Sequence, residues 1–259
     1  MSNLLNISLF QTNPVWQDAE ANIKILDEWF EKIPAETHIV ILPEMFLTGF
    51  SMDVDKISQE MNGMAIQWLI SKAKFKRISI MGSLTIKEND HFYNRLLIAS
   101  SDGSMQWYDK RHLFRMGEEQ EHFSPGRTNI ISQLKGWNIM PLVCYDLRFP
   151  VWSRNHGLKY DLLVYVANWP QARHEAFLTL LKARSIENQC YVAAVNRVGI
   201  DGKGIKYSGD SVLIDPKGNF LGDSFQSEGI VNGTLSLKEL NEYRQKFPAY
   251  LDADEYEIK

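Results

Sequence analysis

At 259 residues, 44% of them hydrophobic and 23% charged, the chain has too much apolar surface for a disordered polypeptide and enough to build a core without disulfides or a structural metal. Its 28 Lys and Arg against 32 Asp and Glu give a formal net charge of -4, which excludes the basic field that nucleic acid or an anionic membrane surface requires, so neither is an expected partner. Its 2 cysteines form no CxxC pair, the opening MSNLLNISLFQTNP has no secretion-signal pattern, and no stretch reaches the ~18 apolar residues of a membrane span, so one domain over residues 1–259 in a reducing cytoplasm is expected.

Strand-like and helix-like segments alternate, which predicts an α/β or layered α+β architecture. Leu5 to Gln11 reads as the first strand. Asp18 to Ile33 reads as an amphipathic helix with Ile23, Leu26, Phe30 and Ile33 on one stripe, and His38 to Leu42 as a buried strand. A second helix is expected from about Ser58 to Lys76, carrying Met61, Ala65, Trp68 and Leu69 on one side, followed by a strand from Ile78 to Ile86. Tyr93 to Ala99 and Met105 to Asp109 form an expected hairpin across Ser101 to Ser104. Lys110 to Asn129, charged and aperiodic, reads as a long loop, and loops of that length inside a compact domain tend to be functional. Beyond it come a strand at Asn138 to Tyr145, a helical turn after Pro150, a strand at Asp161 to Ala167, a helix at Ala172 to Asn188 and a strand at Tyr191 to Asn196. A hairpin over Asp210 to Leu221 around DPKG and a strand near Ile230 to Leu235 follow, and from Tyr243 the chain reads as a polar, acidic tail that frays or docks on a partner subunit.

The run IMPLVCY breaks into DLRFP, which places Cys144 where a buried strand meets charged residues, a position where a thiol is both held and reached. Glu44 follows HIVILP, at the exit of a strand expected in the same sheet core. Lys110 ends the strand MQWYDK, and Glu118, Glu119 and Glu121 stand in the long loop. Each has a plain reading beside this: an inert core thiol, a cap acid, a solvated lysine, an acidic surface. Cys190, between a helix and the apolar YVAAV, fits the plain reading as a small hydrophobe. Taken together, the others supply a thiol nucleophile, a carboxylate to take its proton, a cation for developing negative charge and a second carboxylate to orient the group.

LPEMF around Glu44, YDKRHLF around Lys110, GEEQEHFSPG around Glu119 and LVCYDLRFP around Cys144, followed by YVANWP, ARSIENQ and SGDSVLIDPKG, stand in an order and at separations that resemble the nitrilase, or carbon-nitrogen hydrolase, superfamily over roughly residues 3 to 237. The resemblance implies a four-layer αββα sandwich of the nitrilase type, assembled as a homo-oligomer (dimer or larger). It also implies Cys144 as nucleophile, Glu44 as general base and later acid, Lys110 and the Tyr145 backbone N–H as oxyanion donors, and Glu119 as the additional active-site glutamate. No metal or organic cofactor is implied.

Within the superfamily, LPEMFLTGFSM, KRHLFRMGEE and CYDLRFP are most similar to the bacterial omega-amidase branch, which hydrolyses the terminal amide of 2-oxo dicarboxylic acid monoamides such as 2-oxoglutaramate and 2-oxosuccinamate. The expected partner is therefore a small-molecule amide whose far carboxylate needs a cation. Arg148 and Arg173 are the candidates, with a structural ion pair to a loop carboxylate as the competing reading for Arg148, and Trp169 and Phe149 are candidate walls. Nitrilases and N-carbamoyl hydrolases share the same four groups. Two other classes stay open: a cysteine peptidase or acyltransferase using His112 or His174 as base, and a non-catalytic binding or scaffold module.

Overall fold

The computed structural model describes residues 4–222 and 226–258, so the unit expected over 1–259 runs slightly past the described residues. Its first half contains β1 (Leu4–Gln11), α1 (Ala19–Phe30), β2 (Ile39–Ile41), α2 (Val54–Ile57), α3 (Met64–Lys76), β3 (Ser79–Glu88), β4 (His91–Ala99) and β5 (Met105–Asp109). The second half contains α4 (Glu119–His122), β6 (Ser132–Leu134), β7 (Trp137–Val143), β8 (Leu162–Ala167), α5 (His174–Asn188), β9 (Tyr191–Asn196), β10 (Val198–Ile200), β11 (Lys206–Ser208), β12 (Val212–Ile214), β13 (Gly229–Ser236) and α6 (Leu237–Lys246).

Two main sheets result, a six-stranded one in the order β13-β1-β2-β3-β4-β5 and a five-stranded one in the order β12-β9-β8-β7-β6, each built on three parallel strands with antiparallel edges. Period-two alternation decides what each face of the first sheet covers. Leu5, Ile7 and Leu9 of β1, Ile39 and Ile41 of β2 and Leu96 and Ile98 of β4 join the residues of the second sheet in one apolar cluster. Phe10, Val40, Leu42, Leu97 and Ala99 point the other way, onto Leu26 and Phe30 of α1 and Ala65, Leu69 and Ala73 of α3. Phe177 and Leu181 of α5 and Leu240 of α6 pack with the second sheet. The order is helix, sheet, sheet, helix, as expected for the αββα sandwich.

The boundaries differ from the sequence reading for local reasons. Helix α1 starts behind Asp18, whose side chain accepts the Ala21 N–H at 3.0 Å, and stops at Phe30 instead of Ile33 because Pro34 disfavours helical geometry at the residue before it. The helix expected from Ser58 starts at Met64 after Gly63, since Gln59 is committed to pairing with β3 through Thr85 and Lys87. The turn after Pro150 is not helical; a five-residue 3-10 turn, Cys144–Arg148, precedes it instead. Of the hairpin expected over Asp210 to Leu221, β12 and a single bridge between Ile214 and Phe220 form. The polar tail expected from Tyr243 begins later, because α6 runs to Lys246 and buries Arg244 against Asp161 at 2.7 Å. Among the described residues, no helix is long and apolar enough to cross a membrane.

Candidate active site

Parallel strands deliver their chemistry at their C-terminal ends, and both sheets do so at one place. β2 runs through Pro43 into Glu44, β5 into Lys110, β7 into Cys144 and β8 into Asn168. The strands before Glu44 and Cys144 were expected in one sheet core. They belong to different sheets, β2 to the first and β7 to the second, so the groups meet across the sandwich. Gly82 on β3 lets the Glu44 segment lie close, since a Cβ there would stand 2.8 Å from both the Leu42 and Phe46 side chains. The long loop folds back onto the end of β5 through Gly126, whose N–H donates to the Lys110 carbonyl at 2.9 Å and whose Cβ, if present, would lie 2.0 Å from the Asp109 carbonyl oxygen. That return brings Glu119, in the single turn α4, beside Lys110.

Glu44, Lys110 and Glu119 are buried with 0 to 1% exposure. The Lys110 Nζ donates to Glu44 Oε1 at 2.8 Å and to both oxygens of Glu119 at 3.0 and 2.8 Å. An ammonium has three N–H bonds and three carboxylate oxygens stand within reach of them, so a ligand oxygen gains one by displacing the longer bond to Glu119 Oε1. Asn94 Nδ2 donates to Glu44 Oε1 at 2.8 Å and to Glu119 Oε1 at 3.0 Å, and the Phe114 N–H donates to Glu119 Oε2 at 2.6 Å. On the far side of Glu44, Oε2 accepts the Asn168 backbone N–H at 2.9 Å, while Asn168 Nδ2 donates to the Glu44 carbonyl at 2.6 Å.

Charge follows from this packing. Burial alone would lower the Lys110 pKa, but the charges of Glu119 and Glu44 outweigh it and hold the ammonium well above the ordinary lysine range. Burial raises Glu119, reinforced by the Glu44 charge and opposed by Lys110. The Cys144 thiol is held well above its usual range by burial and by the Glu44 charge, with Lys110 pulling the other way. It rests protonated at neutral pH and needs a base to become a nucleophile.

Cys144 adopts φ 42, which ends β7 sharply and starts the 3-10 turn. Asp146 anchors that turn from below. Its carboxylate accepts the Val143 N–H at 3.0 Å, the Tyr108 hydroxyl at 2.7 Å and the His112 N–H at 3.0 Å, tying the cysteine to the segment that carries Lys110. As the second residue of the turn, Tyr145 has a backbone N–H among the first-turn donors that lack an intrahelical acceptor.

A cavity of about 330 Å³ opens onto these groups, with Glu44, Lys110, Cys144, Tyr145 and Asn168 at its base. Arg148, Trp169 and Arg173, the candidates for the far end of the substrate, line it. The ion pair weighed for Arg148 is not found among the described residues; its guanidinium lies 4.9 Å over the Trp169 ring, and that of Arg173 lies 5.4 Å over Phe114. Phe149 is not a wall of the cavity but stacks on His112 at 3.8 Å. Neither histidine of the peptidase reading lines the cavity. His112 points its Nδ1 at Asp146, 2.8 Å away, and His174 faces Glu175 and Asp210. Glu118 and Glu121 stay outside the cavity too, and Cys190 is buried elsewhere in the core.

Sequence reasoning missed Asn94, Asn168 and the β10–β11 hairpin, whose Asp201, Lys203, Ile205 and Tyr207 complete the cavity wall. Asp201 gathers that hairpin by accepting from the Lys203 and Ile205 N–H groups and the Tyr207 hydroxyl, each at 2.9 Å. The available signal was polar: Asn94 interrupts an apolar strand, where asparagine is disfavoured.

A family model described as carbon-nitrogen hydrolase matches residues 6–245. The chain is 44% identical over 256 residues, 98% of each sequence, to the omega-amidase YafV of Escherichia coli. It is 34% identical to the 2-oxoglutaramate amidase of Bacillus subtilis, across 95% of this chain and 96% of that one. A crystal structure of a CN-hydrolase superfamily protein from Xanthomonas campestris, with an arsenic adduct in its active site, superposes with a TM-score of 0.97 at 42% identity, covering 99% of both chains.

Proposed function

Because the chain belongs to the carbon-nitrogen hydrolase family, we propose that it is an omega-amidase, cleaving the terminal amide of a small 2-oxo dicarboxylic acid monoamide to the acid and ammonia through a thioester on Cys144. One observation carries the substrate assignment. Two guanidinium groups line the cavity, and each is steadied by an aromatic face, which leaves its N–H fork free for an anion. The inner end, where Glu44, Lys110 and Cys144 line the cavity and Glu119 backs the lysine from outside it, suits the amide, and the outer end suits the distant carboxylate.

Glu44 takes the thiol proton as Sγ attacks the amide carbon. Lys110 Nζ and the Tyr145 backbone N–H hold the oxygen that becomes negative. The C–N bond breaks as Glu44 returns the proton to the departing nitrogen, releasing ammonia. Water, deprotonated by Glu44, attacks the thioester carbon, and the second collapse frees the acid and restores the thiol. Glu119 keeps Lys110 in place throughout. The intact four-group set argues against a scaffold role. We place the enzyme in the cytoplasm as a homodimer; exposed Val151, Ile186, Phe247 and Leu251 support an interface between copies, which size-exclusion chromatography tests.

Ammonia release across a panel of 2-oxoglutaramate, 2-oxosuccinamate, glutamine, asparagine, an aliphatic amide, an N-carbamoyl amino acid and a nitrile tests the reading. Preference for the 2-oxo monoamides supports it. Equal or better turnover of the carbamoyl compound or the nitrile moves the enzyme to another branch of the family.

A further inference from the structure

Asn94 is 1% exposed and sits in β4, between the two carboxylates, with no charge of its own. Both N–H bonds of its amide nitrogen are spent on the cluster, at 2.8 Å to Glu44 Oε1 and 3.0 Å to Glu119 Oε1. Its Oδ1 is buried without a hydrogen-bond partner among the described residues. The fold tolerates that orphaned acceptor together with two donors to buried carboxylates, which an apolar residue of the same size could not supply. Its main-chain carbonyl also accepts the Lys110 main-chain N–H at 3.0 Å, so one residue contacts both carboxylates and the backbone of the lysine between them.

We propose that Asn94 is a positioning residue whose amide nitrogen bridges Glu44 and Glu119, fixing the glutamate oxygen that faces Cys144 and sparing one Lys110 N–H for the oxyanion. The inference rests on the amidase reading of this site, in which Glu44 is the base. The geometry gives the reason. Glu44 Oε1 takes two close donors, from Lys110 and Asn94, whereas Oε2 takes the backbone N–H of Asn168 at 2.9 Å and only a long contact from Asn168 Nδ2 at 3.5 Å, which a closer proton displaces. Without Asn94, Glu44 Oε1 and Glu119 Oε1 each lose a donor, the two carboxylates lean harder on the one ammonium they already share, and the cluster takes up a proton more readily.

The test compares the native enzyme with Asn94→Leu, which keeps the volume and loses the donors, and Asn94→Asp, which keeps the shape and replaces donors with a third carboxylate. Two readouts are taken against pH: the rate of Cys144 carboxymethylation by iodoacetamide, followed by intact mass, and ammonia release from 2-oxoglutaramate. In both variants kcat at neutral pH is expected to fall about 10²-fold with KM changed less than about threefold, consistent with loss of hydrogen bonds to charged groups. The acid limb of the alkylation rate is expected to move upward by about one pH unit, further in the Asp variant. A merely structural asparagine would lower yield and thermal stability without moving that limb. A folded variant whose limb and kcat match the native enzyme overturns the proposal, as does failure of both variants to fold. Alkylation needs no substrate, so an enzyme inactive on every amide would sink the omega-amidase reading and leave this comparison able to decide Asn94.

Discussion

Glu119→Gln separates the chemistry of the cluster from its stability. Every neighbour of the Glu119 carboxylate is a donor: Lys110 Nζ to both oxygens, Asn94 Nδ2 to Oε1 and the Phe114 N–H to Oε2. A glutamine amide placed there faces two donors with its NH2 in either orientation, so the two hydrogen bonds which that oxygen accepted are lost and N–H groups are left unpaired, at about 1–3 kcal/mol for each unsatisfied group. Against that, the native cluster carries two carboxylates for one ammonium in a fully buried site, and burial already disfavours the Glu119 charge, so neutralising it removes an excess negative charge. The two effects oppose, and Tm should stay within about 5 °C of native, taking ~2–4 °C per kcal/mol for a chain near this size. Activity has no such offset. Lys110 already touches Glu44 at 2.8 Å, where unit charges attract by about 6 kcal/mol at an effective dielectric of 20, so without the Glu119 charge to balance that pull its N–H bonds turn to Glu44, compromising both the base and the oxyanion donor. Loss of one preorganised donor corresponds to ~10²–10³ in kcat. Ammonia release paired with thermal unfolding by circular dichroism measures both quantities. Activity within tenfold of native, or activity lost only together with a Tm drop beyond about 10 °C, would refute the assigned role.

Cys144→Ser should abolish turnover, since a hydroxyl is a far poorer nucleophile beside the same carboxylate, and native protein stalled with a slow amide should gain one acyl mass that the Ser variant lacks; an adduct elsewhere in the chain contradicts the assignment. Arg148→Met and Arg173→Met should each raise KM for 2-oxoglutaramate by about 10–10²-fold, the worth of a charge-assisted hydrogen bond, and leave a neutral aliphatic amide unaffected, as steady-state kinetics on both substrates would reveal. Stability should erode on the alkaline side. Cys144 and the buried phenols Tyr108 and Tyr160 are all held above their ordinary values, chiefly by burial. The stability they contribute is complete below the unfolded thiol and phenol values of about 8.5 and 10 and drains as pH climbs through them towards the folded values. A Tm constant from pH 8 to pH 11 would contradict this.

Much of the fold was legible because strands such as β8 and β9 are nearly continuous apolar runs, the mark of parallel strands buried on both faces, and both fall within a residue of their expected limits. Hydropathy does not report which sheet a buried strand joins, and for that reason Glu44 and Cys144 were expected in one sheet core when they stand in two. Short elements such as β6, β10 and β11 carry too few residues for a periodic signal, so the hairpin that walls the cavity stayed invisible. Cys144, Glu44, Lys110 and Glu119 were recognisable as chemistry by residue type and by the motifs around them. Asn94 was not, because a neutral amide in a strand announces nothing until its two carboxylate neighbours, far away in the chain, are beside it.

Placing the base and the sulfur on opposite leaves of the sandwich turns the spacing between those leaves into a kinetic variable. Ile41 and Met81 on one side and Ile139 and Val143 on the other are spacers that set how far a proton must travel, although none of them lines the cavity. Trimming such a spacer is a small matter for a core this large, yet a displacement approaching 1 Å at a reacting pair costs about 10²-fold in rate. Gentle heating, pressure or dilute denaturant should therefore silence the enzyme while its circular dichroism is still that of the intact fold, making turnover a sensitive gauge of slippage between the two leaves.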